Sequence, residues 1–161
     1  MIKKKLKLYY RIFTQIFFRY LYGKVFVSNE NKYIKKEIIN NSLFYKYDGK
    51  KYNIYNVKNA RIFTDNNENV AVIKNNLILP FMSYQQIKGK FVGIKNNSVV
   101  KLGTPSFIKK IPGKVFNLCQ GDSGNNYFHF LFDILPKIYL LKSKINLKKI
   151  DFFYVSDPKE W

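Results

Sequence analysis

The chain has 161 residues, long enough for one domain with a buried core. Its formal charge of +19 points to an anionic partner, but Arg11, Arg19 and Arg61 are the only arginines. Readers of nucleic acid favour the arginine fork, so no nucleic-acid partner is expected. The abundant Lys, Asn, Ile, Tyr and Phe share A/T-rich codons, and base composition explains much of the charge. The single cysteine, Cys119, excludes an intrachain disulfide. With one histidine beside it, a closed zinc site lacks ligands, and no metal is expected. Cys119 reads as a small buried hydrophobe near a strand end.

Residues 1–22 read as one amphipathic helix. Lys7, Arg11, Gln15 and Arg19 recur every fourth residue and share a face. Leu6, Tyr9, Tyr10, Ile12, Phe13, Ile16, Phe17, Tyr20 and Leu21 cover the rest. Charges at every turn argue against a membrane span, and Arg11 and Arg19 break the apolar region of a secretory signal. Two readings remain. One is a helix in the interface of an anionic membrane; the other is a helix docked on the protein's own core with its basic stripe solvated.

Ser28 to Lys36 is polar and reads as a linker. From Leu43 onward short strands alternate with turn signals. Leu43 to Tyr47, Asp48-Gly49 and Lys51 to Val57 predict a hairpin. Ala60 to Thr64 is a further strand. Val70 to Ile73, Asn75-Asn76 and Leu77 to Phe81 predict a second hairpin. Phe91 to Ile94 and Val99 to Leu102, around Lys95 to Ser98, predict a third. The sum is a β-rich meander of about six strands.

The period changes after Pro112. Lys114 to Leu118 reads as a buried strand, Gln120 to Asn125 as a polar loop, Asn126 to Leu141 as an apolar helix and Ile150 to Val155 as a second buried strand. Strand, loop, helix and strand make a βαβ unit with parallel strands and a right-handed crossover. The loop leads into a helix N-terminus, where free N–H groups favour anions, and Ser123 or Asn125 is placed to cap it. Its glycine spacing is not that of a P-loop. A plain glycine turn is the simpler reading.

Within the helix, Asn126, His129 and Asp133 stand three and four residues apart and share a face. Phe128, Leu131, Phe132, Leu135, Ile138 and Tyr139 are expected to pack the remainder. An Asp one turn from a His orients its ring, and the pair can take a proton from a hydroxyl. A structural network of hydrogen bonds is the alternative. Pro136 cannot donate to the carbonyl of Phe132, so the helix should kink or restart there and leave an acceptor near Asp133.

The run Asn126-Tyr127-Phe128-His129-Phe130-Leu131-Phe132-Asp133-Ile134-Leu135-Pro136-Lys137 resembles the Asn-Tyr-x-His-Trp-x-x-Asp-x-Leu-Pro-Arg segment of glycosyltransferase family 61. Asn59-Ala60-Arg61-Ile62-Phe63 and Gly113-Lys114-Val115-Phe116 resemble its upstream strands. Phe130 stands in place of Trp, and Lys137 in place of Arg, which keeps charge but loses the bidentate fork.

The resemblance implies a bacterial enzyme of capsule or lipopolysaccharide synthesis. It would be an inverting transferase of the two-domain, Rossmann-like GT-B type that moves a sugar from a nucleotide sugar to a glycan or lipid-linked acceptor. It implies His129 and Asp133 as catalytic residues, with the base unassigned between them. Ser123, Asn125, Asn126 and Lys137 are the substrate-binding candidates, and the nucleotide sugar is substrate rather than cofactor.

The expected class is therefore α/β. Residues 1–24 are a membrane-surface helix, 25–112 a β-rich region and 113–161 the start of a Rossmann-like acceptor-side domain. The expected place is cytoplasmic, on the inner face of the plasma membrane. A chain stopping soon after a strand that needs neighbours reads as the front part of a longer enzyme, inactive alone. A non-enzymatic membrane-surface module and a nucleic-acid binder are the alternatives.

Overall fold

The computed structural model describes residues 2–28, 35–40, 51–65, 69–87, 90–119 and 126–155. The fold is mixed α/β: an N-terminal helix, a six-stranded sheet of mixed direction and two smaller strand pairs.

Helix α1 spans Ile2–Tyr22 without Gly or Pro. It ends at Gly23, whose φ of 78° returns its N–H to the Arg19 carbonyl at 2.9 Å. Its last turns are fastened to the body. Phe18 is buried, its ring parallel to Tyr22 at 6.1 Å and edge-on to Phe107 at 5.1 Å. Leu6, Tyr9, Tyr10, Phe13, Ile16, Phe17, Tyr20 and Leu21 recur at helical spacing, and all are exposed. Of the two sequence readings of this helix, docking on the protein's own core fails along this arc.

Strand β1 (Phe26–Val27) lies at one edge of the main sheet. Strands β2 (Lys35–Asn40) and β3 (Lys51–Asn56) form a separate antiparallel pair, in register from Lys35 opposite Asn56 to Asn40 opposite Lys51. Lys35 and Lys36, expected in a linker, thus open a strand. The pair of β-branched residues Ile38-Ile39 behind them favours extended backbone over the polarity of the lysines. The expected strand Leu43 to Tyr47 lies outside the described residues.

Strand β5 (Asn69–Lys74) is the spine of the main sheet. Strand β4 (Arg61–Thr64) runs antiparallel along one edge. The other edge is shared by β6 (Leu77–Ile78) and β7 (Tyr84–Ile87), with β8 (Lys90–Val92) beyond β7. The turn into β6 has φ of 49° at Asn75 and 59° at Asn76, the left-handed pair a tight hairpin demands, so the second expected hairpin forms. It is shorter than expected, because Pro80 opens a 3₁₀ turn at Pro80–Met82. The ladder gap this leaves on β5 is closed locally. The Val72 N–H donates to Ser83 Oγ at 2.8 Å, and the Leu79 N–H to the Val72 carbonyl at 2.8 Å.

The third expected hairpin does not form. Strand β8 pairs with β7, and Val99 to Leu102 belongs to helix α2 (Ser98–Leu102). Asn97 decides this. Its Oδ1 accepts from the Val99 N–H at 3.1 Å as an N-cap, while its Nδ2 donates to the carbonyls of Tyr84 and Val70 at 3.0 and 3.3 Å. The side chain is fully buried, with both its donor and acceptor ends bonded.

Strand β5 is apolar on both faces because both are covered. Ala71 and Ile73 pack with Val25, Ile78 and Val99 into the core. Val70 and Val72 point the other way, into a cavity. Across it stands the last unit. Strand β9 (Val115–Asn117) pairs in parallel with β10 (Phe152–Tyr154), Phe152 opposite Val115. The parallel βαβ arrangement is as expected. The burial of its second strand is not: Phe152, Phe153 and Val155 are exposed, since β10 has no partner on its outer edge among the described residues.

Candidate functional site

The helical run between β9 and β10 is built in three parts. Asn126 is its N-cap, with extended backbone and Oδ1 accepting from the Phe128 N–H at 2.9 Å. Capping therefore falls to Asn126. Ser123 and Asn125, expected as caps and substrate contacts, lie outside the described residues. Helix α3 (Tyr127–His129) is followed by a π-helical turn at Phe130–Ile134, and α4 (Leu135–Lys142) resumes behind it. Pro136 explains the sequence of turns. It has no N–H to give the Phe132 carbonyl, the chain widens, and the Leu135 N–H bonds the Phe130 carbonyl instead. Pro136 then sits in the first turn of α4, where its ring is tolerated.

This geometry brings His129 and Asp133 together. Nδ1 of His129 lies 2.7 Å from Oδ2 of Asp133, with the side chains 32% and 33% exposed. A carboxylate only accepts, so the bond places the imidazole proton on Nδ1 and leaves the Nε2 lone pair for another partner. The Phe128 ring lies edge-on to the imidazole at 5.8 Å. A solvent-accessible pair of this spacing contributes only about 0.3–0.5 kcal/mol to stability.

Lys137 goes elsewhere. It lines the cavity of about 540 Å³ between the main sheet, β3 and α4. Val70 and Val72 form one wall, Asn53 and Tyr55 another, Asn117 and Cys119 a third. Burial pushes the Lys137 ammonium below the usual lysine range, with Asp133 and then Cys119 pulling in the opposite direction. Burial likewise raises the Tyr154 phenol, and Cys119 adds to it. Cys119 is buried, its thiol 3.7 Å from the Tyr154 carbonyl, as a small hydrophobe at a strand end should be. The residues singled out from the sequence thus divide: His129 and Asp133 at the surface, Lys137 inward.

Comparison with protein-family models, with curated proteins and with solved structures finds no match. The functional reading rests on the chain's own residues. Among the described ones, no three or more His, Cys, Asp or Glu side chains gather as a metal site would require. Asn53, Tyr55, Asn117 and Tyr84, which bring polar groups to the cavity, carried no signal in the sequence. They come from three strands, β3, β7 and β9, and apart from Asn53 and Tyr55, two residues apart on β3, no spacing links them.

The apolar face of the run departs from expectation. Ile134 and Leu141 are buried, but Phe128, Phe132, Leu135 and Tyr139 are exposed. Phe128 and Phe132 pack on each other, centroids 4.6 Å apart. The buried line is seven residues apart and faces the cavity side, so the remaining aromatics flank the His129–Asp133 pair in the open.

Proposed function

We propose that the protein is a glycosyltransferase that passes a sugar from a nucleotide sugar to a glycan or lipid-linked acceptor in surface polysaccharide assembly, by an inverting reaction. The observation that carries the reading is the His129–Asp133 pair, a bonded, half-buried imidazole and carboxylate where α3 passes into a π turn, one turn before Lys137, which lines the cavity. π turns inside helices are frequent at functional sites. Likeness of residues 126–137 to the family 61 segment supports the same reading.

Inverting transfer needs one base. It removes the proton of the acceptor hydroxyl as the oxygen attacks the anomeric carbon, and the nucleoside diphosphate leaves with the bonding pair. His129 Nε2 is the better candidate, because Asp133 occupies Nδ1 and fixes the ring. Asp133 is then the positioning residue. Lys137 would meet a polar or anionic group of the substrate entering the cavity. The GT-B arrangement belongs to the same proposal, with the βαβ unit as the acceptor-side domain.

Attachment to the inner face of the plasma membrane through α1 completes it. No helix among the described residues is long and apolar enough to cross a membrane, while the exposed aromatic arc of α1 with its basic flank suits an interfacial helix. That same arc also suits a membrane module without enzymatic activity. The test that separates them uses protein from the complete reading frame, incubated with pooled nucleotide sugars and membrane glycolipid acceptors. Mass spectrometry should detect a transferred sugar that His129→Ala abolishes. Full turnover in both His129→Ala and Asp133→Ala would remove the assigned roles, and no transfer from any donor would leave the membrane module.

A further inference from the structure

We infer that Ser106 to Ile111 forms, together with the outward arc of α1, a single surface for docking on an anionic lipid bilayer. The inference builds on the interfacial reading of α1 and extends it to a second, distant segment. Phe107 joins the two. Its ring meets Phe18, which points into the body, at 5.1 Å and Phe17, which belongs to the arc, at 6.0 Å. The Ile108 N–H donates to the Tyr22 hydroxyl at 3.1 Å and holds the segment alongside the last turns of the helix. Despite these contacts Phe107 remains 69% exposed, and Ile111 is exposed as well. Lys109 and Lys110 between them are exposed.

Charge selects the occupant. Residues 2–28 and 98–114 contain no Asp or Glu, so lysines and arginines flank this apolar surface without acidic company. An anionic headgroup layer meets both features at once: aromatic rings enter the acyl boundary and the cations meet phosphate. A second copy of the chain fits less well. The arc resembles a coiled-coil seam, but pairing two such helices brings two strongly basic segments together with no acidic residue in either to offset the repulsion. Phe18 is the buried residue of α1 among those described, while the apolar arc and Lys7, Arg11 and Arg19 are exposed, so the outward surface carries both aromatic rings and cations.

The experiment is flotation of the full chain with vesicles of phosphatidylglycerol and phosphatidylcholine, against phosphatidylcholine alone. Wild type should float with the anionic vesicles only. Phe107→Ser with Ile111→Ser should weaken partitioning about tenfold or more, as loss of two inserted apolar side chains requires. Since Phe107 also touches Phe18, a second variant keeps the loop intact. Ile111→Trp, with Trp161→Phe, should show blue-shifted emission on anionic vesicles and quenching by brominated acyl chains. Flotation of wild type with no shift and no effect of the serine pair would overturn the role of the segment and leave α1 as the anchor. No flotation at all would overturn both, as would a light-scattering dimer, or RNA binding, in place of vesicle binding.

Discussion

A Cβ placed on Gly113 would stand 2.5 Å from Oδ2 of Asp151, the same oxygen that accepts from the Lys114 N–H at 2.6 Å. Gly113 has φ of 99°, so the backbone and the close approach both require glycine. The contact ties the start of β9 to the start of β10 and so helps set the parallel register. Gly113→Ala should cost about 1–3 kcal/mol. With Asp151→Ala present, part of that cost should vanish, because the two closest atoms, Oδ2 and Cγ, are gone, while the Cβ contact at 3.0 Å and the backbone strain remain. Urea unfolding of the four proteins of this cycle measures the coupling; strict additivity would mean that Asp151 does not constrain Gly113.

Asn97 is the polar pin of the N-terminal region. Asn97→Leu removes the cap of α2 and strands the carbonyls of Val70 and Tyr84 in a buried place. A loss of about 2–4 kcal/mol is expected. Thermal unfolding at one pH suffices to check it, and a loss under about 0.5 kcal/mol, the level of an ordinary surface change, would deny Asn97 this role.

Lys137 should give a pH signature. Burial sets its folded pKa below its ordinary value of 10.5. Between those two values the unfolded chain binds more protons than the folded one, so stability rises with pH across that window. Lys137→Met lacks the charge that burial penalises. It should melt above wild type at pH 7, and the gap should close as pH rises toward 10.5. A variant that melts below wild type throughout would mean that contacts of the ammonium outweigh its burial.

His129→Ala and Asp133→Asn should part activity from stability. Each should change stability by under about 0.5 kcal/mol, since the pair is only half-buried and within reach of solvent. Sugar transfer should fall by about 100-fold or more in His129→Ala, within the range of a lost general base. Asp133→Asn keeps the shape but weakens the hold on Nδ1, so its loss should be smaller, and the pH–rate profile should move with it. Equal losses in both, with an unmoved profile, would make Asp133 more than a positioning residue.

Strong local patterns were readable from residues alone. The amphipathic α1, the Asn75-Asn76 hairpin, the parallel β9 and β10, and the Pro136 interruption each follow from the spacing or backbone chemistry of a few neighbours. The misreadings occurred where a distant partner decides. Val99 to Leu102 is apolar and β-branched enough for a strand, yet the Asn97 side chain, bonded to β5 and β7, starts a helix there. Lys35 and Lys36 have the polarity of a linker, but β3 supplies a pairing partner that polarity does not reveal. The division of His129 and Asp133 from Lys137 was hidden as well. A regular helix places residues 133 and 137 one turn apart on one face, but only the packing of Ile134 and Leu141 decides which side turns toward the cavity.

The sequence by itself determined which segments are helix or strand wherever the period was long, and it placed the imidazole and the carboxylate within one turn of each other. Helix periodicity and a missing proline N–H are local properties, and they act without reference to the rest of the chain. Only the tertiary structure decided that α1 turns its aromatic arc outward, that Ser106 to Ile111 lies beside it, and that three strands bring amides and phenols to one cavity. Those outcomes depend on which surfaces meet, and contact between residues far apart in the chain has no signature in their spacing.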